Sequence, residues 1–127
     1  VNVVDSSAWL EYLTNGPNAS FFAPAIEAVS DLLVPAIVLY EVFRRVVQQR
    51  GEDAALQAAA LLHQGEIVPV DSALALYGAR LGVEHKLPLA DSLVYATSRL
   101  RKAMLWTQDA DFKDLPDVRF RAKRGSK

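Results

Sequence analysis

The feature that most restricts this chain is an alternation of short apolar runs with much longer stretches of helical periodicity. Val1–Val4, Leu32–Val34, Ile67–Val70, Ala103–Trp106 and Val118–Phe120 are brief, rich in branched residues and bounded by turn formers. Such runs read as buried strands. Between the first two, Ser6 or Ser7 can cap a helix that carries Trp9, Leu10 and Leu13 on one face and stops at Asn15, Gly16 and Pro17. A second helix is expected over about 18–29. Pro35 suits a first helical position and opens a long helix from Ala36 to Arg50, stopped by Gly51. The Ala- and Leu-rich segment Ala54–His63 follows, with Gly65 as its end signal. Asp71 can cap a helix through Val83, and Pro88 opens the last one, to about Lys102. Strands that alternate with helices build βαβ crossovers, so the expected fold is α/β with a parallel sheet covered on both faces.

At 127 residues and 51% apolar composition, one core is expected to serve one domain over residues 1–127. A domain of this length removes roughly two thirds of its unfolded surface from water and needs no disulfide or structural metal. The absence of cysteine excludes disulfide scaffolds, thiolate zinc sites and cysteine nucleophiles. No apolar stretch is long enough to span a membrane, and the N-terminus lacks the basic and apolar segments of a secretory signal, so a cytoplasmic protein is expected. The net charge of −1 is unevenly placed. Arg119, Arg121, Lys123, Arg124 and Lys127 form a basic tail over 119–127, and the remainder is acidic. That body repels polyanions, so a role on nucleic acid requires a bound cation or a local basic patch such as the tail. The alternative for the tail is a frayed, solvated terminus.

In a parallel α/β fold the helix N-termini and strand C-termini share one edge of the sheet. Asp5 follows the first strand and Asp109 the fourth, Asp91 lies in the first turn of its helix, and Glu41 lies ~8 Å into the helix after the second strand. All four belong to that edge. Each has a structural alternative: Asp5 as a helix cap, Asp91 as a favourable charge in a first turn, Asp109 as a turn residue, and Glu41 as a partner of Arg44 or Arg45 one turn on. Their convergence argues for more, because two carboxylates 4 Å apart repel by roughly 4 kcal/mol at an effective dielectric near 20. A cluster of three or four needs protons or a cation. All-oxygen ligands select a hard ion, Mg²⁺ or Mn²⁺. His63 and His85 are too far apart in sequence for a helical zinc pair and read as surface or core residues.

The segments VVDSSAWLEYL, LPLADSLVYATSRL and WTQDADF, with Glu41 between the first two, resemble the PIN domain family, most closely the VapC-type toxins of toxin-antitoxin pairs. The resemblance spans nearly the whole chain and rests on the ordered set of acids. It implies a three-layer α/β/α sandwich with strand order 3-2-1-4-5, which sets Asp5 and Asp109 beside the crevice where open sheets bind ligands. It implies Asp5, Glu41, Asp91 and Asp109 as the catalytic and metal-binding quartet, Ser7 and Thr107 as supporting hydroxyls, and Asp111 as a further, less usual acid. The implied activity is a metal-dependent endoribonuclease in which metal-activated water hydrolyses RNA, leaving a 5′ phosphate and a 3′ hydroxyl. Arg44, Arg45, Lys86 and the tail are candidate RNA contacts. A cognate antitoxin and a homodimer are implied as partners, with Trp9, Tyr12, Phe21 and Phe22 as candidates for an aromatic groove that receives the antitoxin. Two other readings stay open: a PIN-like module that binds RNA without cutting it, and a Mg²⁺-dependent phospho-acceptor or phosphatase domain. The first would normally have lost an acid. The second would want a lysine by the site, for which Lys86 is the nearest in sequence to Asp91.

Overall fold

The structure is a computed structural model whose described residues are 1–124; the end of the basic tail, Lys127 included, lies outside them. The elements follow in the order β1 Asn2–Val4, α1 Ser6–Leu13, α2 Ala19–Glu27, a 3₁₀ turn Val29–Asp31, β2 Leu32–Pro35, α3 Ala36–Arg50, α4 Glu52–Leu62, β3 Glu66–Val68, α5 Ser72–His85, α6 Leu89–Leu100, β4 Met104–Thr107, a 3₁₀ turn Ala110–Phe112 and β5 Val118–Phe120. The five strands form one sheet in the order β3-β2-β1-β4-β5, and all four pairings are parallel. This is the α/β/α architecture with the order 3-2-1-4-5.

Parallel strands carry helices on both faces, so their residues are buried on both. Val3 and Val4 are sealed in β1, and Leu32, Leu33, Val34 and Pro35 are all buried in β2. Helices α2 and α6 both pack on β1 and β2 from opposite faces; α5 lies against α6, and α4 against α3. Helix α6 is buried from Ser92 to Ser98. Its interior hydroxyls bond back into the helix, Ser92 to the Leu89 carbonyl, Thr97 to Leu93 and Ser98 to Tyr95, so their burial leaves no unpaired donor.

The boundaries differ from expectation where pairing overrides composition. β3 is Glu66–Val68, not Ile67–Val70: its partners in β2 are Leu33, Val34 and Pro35, and Pro69 has no N–H with which to continue. β4 is set one residue later than expected by its register with β1, which matches Val4 to Trp106. Helix α2 ends at Glu27, before the expected Val29, because Ala28 leaves helical geometry and a 3₁₀ turn feeds β2. Helix α5 continues past Val83 to His85, where Lys86 adopts the left-handed conformation (φ 57°) that ends it. Trp9 and Phe22, candidates for an exposed aromatic groove, are instead fully buried in the core, with only Phe21 and Tyr12 half-buried. Both sit on the inner stripes of α1 and α2, where burying large rings outweighs presenting them.

Candidate functional site

Asp5 leaves β1 at the C-terminal edge of the sheet and caps α1. Its Oδ1 accepts from the Ala8 backbone N–H (3.0 Å) and the Ser7 hydroxyl (2.9 Å), and its Oδ2 accepts from the Thr107 hydroxyl. Three donors converge on one buried carboxylate. Burial still wins: it pushes the Asp5 carboxyl up from 3.8 to about 6, against the hydrogen bonds that favour the ion. The Thr107 oxygen in turn accepts from the Asp109 N–H (2.9 Å), and Asp109 Oδ1 accepts from the Asp111 N–H (2.9 Å), which starts the following 3₁₀ turn. Hydrogen bonds thus tie the ends of β1 and β4 into one acidic corner.

Asp91 enters this corner from the first turn of α6. Asp91, Asp109 and Asp111 each offer a carboxylate oxygen within 4.8 Å of the others. Asp91 is pushed up to about 8, first by burial, then by the charge of Asp109, by a hydrogen bond shared with Asp111 and by the charge of Asp5. A carboxyl raised that far behaves as one member of a set sharing too few counter-charges. Three hard oxygen donors that repel one another, with no thiolate or imidazole among them, fit a divalent hard cation. Asp109 and Asp91 are half-buried and Asp111 is exposed, so a solvated ion has access.

Glu41 stands outside this three-acid cluster. It is half-buried on α3, beside a cleft of about 280 Å³ lined also by Ser6, Leu10, Tyr40, Arg44 and Arg45. The pairing that the sequence left open is not formed: among the described residues Glu41 makes no ion pair with either arginine, and Arg44 donates to the Tyr40 hydroxyl instead (2.9 Å). Ser6, next to Asp5, lines both this cleft and a neighbouring one of about 350 Å³ with Ser7, Arg45, Gln108 and Lys123. Lys86 is exposed at the end of α5 and serves its helix as C-cap. Two buried amides were not singled out by sequence reasoning: Asn18 Nδ2 donates to Gln108 Oε1 (3.0 Å) and ties the start of α2 to the end of β4. Gln108 stood in the acidic WTQDADF segment, but nothing periodic marked Asn18.

The described residues contain no helix long and apolar enough to cross a membrane. No curated protein matches the chain in sequence. Solved structures do match in fold. A chain of a toxin-antitoxin complex from Klebsiella pneumoniae superposes with a TM-score of 0.77 at 23% identity, over 93% of this chain and 95% of that one. VapC20 of Mycobacterium tuberculosis, a toxin that cleaves the sarcin-ricin loop, gives 0.75 at 21% identity over 93% and 97%. VapBC2 of Rickettsia felis, bound to a DNA fragment from its promoter, gives 0.72 at 16% over 95% and 97%. The sequence model of the PIN domain matches residues 3–118, nearly the whole length from β1 into β5, and the chain belongs to the PIN domain family.

Proposed function

We propose that this chain is the toxin of a toxin-antitoxin pair and acts in the cytoplasm as a Mg²⁺- or Mn²⁺-dependent endoribonuclease. The observation that carries this reading is the convergence of Asp91, Asp109 and Asp111 within 4.8 Å beside the buried Asp5. Asp91, Asp109 and Asp111 would hold the ion, with Asp5 behind them, while Glu41 would act from the neighbouring cleft on α3. When bound, a divalent ion supplies a water of lowered pKa and neutralises charge that develops on the scissile phosphate. The chain does the rest. Asp5, through Thr107, fixes the backbone that presents Asp109, and Ser7 holds the Asp5 carboxylate in place. A carboxylate of the cluster would take the proton from the attacking water, and the leaving 3′ oxygen would take a proton from a protonated carboxyl or from solvent water and depart as a hydroxyl, with the phosphate retained on the 5′ side. Arg44, Arg45 and Lys86 are proposed RNA contacts; similarity to toxin-antitoxin complexes favours an antitoxin partner, and a homodimer is proposed on the family resemblance alone.

The test is cleavage of labelled RNA by the purified protein in Mg²⁺, in Mn²⁺ and in excess EDTA, alongside Asp91→Asn. Cleavage confined to the parent with metal supports the reading. Full activity in EDTA, or in the variant, would sink it. Sequencing RNA ends after controlled expression then reports the target.

A further inference from the structure

The alternating basic residues after Pro116 take no part in the acidic cluster, yet the fold holds them in a fixed line. β5 is an edge strand with only β4 beside it. The Arg121 N–H donates to the Thr107 carbonyl (3.1 Å) and carries the ladder beyond Phe120. At the next residue the buried amide of Asn18 donates to the Ala122 carbonyl (3.0 Å). The tail is therefore pinned as far as Ala122, and the frayed alternative does not hold for residues 119–122. Strand periodicity, carried one residue past β5 by the Arg121 hydrogen bond, places Arg119 and Arg121 on one face, about 7 Å apart, and Lys123 follows two residues on.

Two of these cations lie on aromatic rings. The Arg119 guanidinium is 5.3 Å from the Trp106 ring centre and that of Arg121 is 4.4 Å from Phe21, whose ring lies 5.4 Å from Trp106. A guanidinium backed by a ring keeps its plane, its outer face free for a base and its N–H edge free for phosphate. Arg119, Arg121 and Lys123 have no acidic partner among the described residues, whose ion pairs are Arg99–Asp117, Arg101–Glu66 and Glu84–His85. At one end the line opens on a cleft of about 670 Å³ lined by Trp106, Arg119, Arg99 and Lys102. At the other, Lys123 shares the 350 Å³ cleft with Arg45, Ser6 and Ser7, and Ser7 is bonded to Asp5. Because β5 runs parallel to β1 and β4, the line points toward the edge that holds the carboxylates.

Resting on the ribonuclease reading above, we infer that the β5 edge, with Arg119, Arg121 and Lys123 backed by Trp106 and Phe21, is a track for single-stranded RNA that leads the strand to the acidic cluster. Charges spaced along an extended strand meet successive phosphates, and the stacked planes take bases without regard to sequence. An acidic protein segment would use the charges but not the stacked planes, so RNA is the better fit.

The experiment is binding of a fluorescein-labelled oligouridylate of roughly ten nucleotides, in EDTA so that no cleavage occurs, as a function of salt. The variant Arg119→Gln, Arg121→Gln, Lys123→Gln keeps the stems over the rings and removes the charge. Its slope of log K against log salt is expected to be shallower than the parent's by about 2, at roughly 0.7 per phosphate contact. Arg119→Lys with Arg121→Lys keeps the charge and is expected to keep the slope while losing affinity several-fold. Removing three charges elsewhere, with Arg50→Gln, Arg80→Gln and Arg101→Gln, is expected to leave both unchanged. A parent-like slope in the first variant overturns the track, as does an equal loss in the distant one. An unchanged slope combined with lost binding of a polyglutamate peptide would overturn it too, and assign the line to a protein partner. A parent that binds with the full slope but cuts no RNA in Mg²⁺ sinks the ribonuclease reading and leaves the track standing.

Discussion

At the scale of single residues, Asp5 is pulled in two directions. As the cap of α1 its side chain satisfies an N–H that the helix leaves open, yet its charge is buried beside other acids. Folding raises its pKa from 3.8 to about 6, so between those values the folded state binds more protons than the unfolded one. Stability therefore falls as pH rises through that window, by a total on the order of 3 kcal/mol. Asp5→Asn removes the charge and keeps a capping oxygen. We predict that in metal-free buffer at pH ~7 it melts no lower than the parent, while its RNA cleavage is abolished; a large fall in melting temperature would mean that Asp5 serves mainly as a cap. Thr107 has the opposite profile, since its hydroxyl donates to Asp5 and accepts from Asp109. Thr107→Val leaves both partners short in a buried place and is expected to cost ~1–3 kcal/mol in denaturant titrations. A variant as stable as the parent would show the hydroxyl to be dispensable.

Among elements, what places the acids is how closely helices and turns approach the sheet. Gly65, between α4 and β3, shows the tolerance: a Cβ there would lie 2.8 Å from the Leu32 carbonyl oxygen, at the start of β2. Backbone cannot give way as a side-chain end can. Gly65→Ala should therefore displace the entry to β3 against β2 and destabilise by ~1–3 kcal/mol, the usual range for overpacking; an unchanged unfolding midpoint would show that the turn adapts. Helix α6 is held differently, by burial on nearly all sides. Its first turn carries Asp91 to the corner built by the ends of β1 and β4, so the site depends on that helix lying flat on the sheet.

For the molecule as a whole, the acidic corner makes stability a function of both pH and metal. Asp91, raised to about 8, extends the window opened by Asp5, with the same sign: the metal-free protein is expected to lose stability as pH rises from ~4 to ~8. Glu66, held low by Arg101 at the surface, acts with the opposite sign, at pH below its ordinary value of 4.5. A cation that binds only the folded state should counter the loss, by ~2.7 kcal/mol at a hundred times its dissociation constant. Melting curves across pH, with and without Mg²⁺, check this: the two series should converge at low pH and separate above it. Parallel curves would mean that no ion occupies the carboxylates.

The local pattern of the chain carried the order of strands and helices, because short branched runs and helical periodicity are properties of neighbouring residues. The crossover rule for parallel strands then assigned Asp5, Glu41, Asp91 and Asp109 to one edge, which needs only the direction of each element. Which oxygens meet depends on packing between segments far apart in sequence. Asp111 joins Asp91 and Asp109 because the Asp109 side chain turns the chain after β4 into a 3₁₀ turn, while Glu41 stays on α3 beside a separate cleft. Trp9 and Phe22 looked the same in sequence as Tyr12 and Phe21, and only the sheet beneath α1 and α2 separated core from surface. The basic tail shows the same division: its charges are plain in the sequence, but the β4 ladder and the Asn18 amide align them, through contacts that reach across the chain.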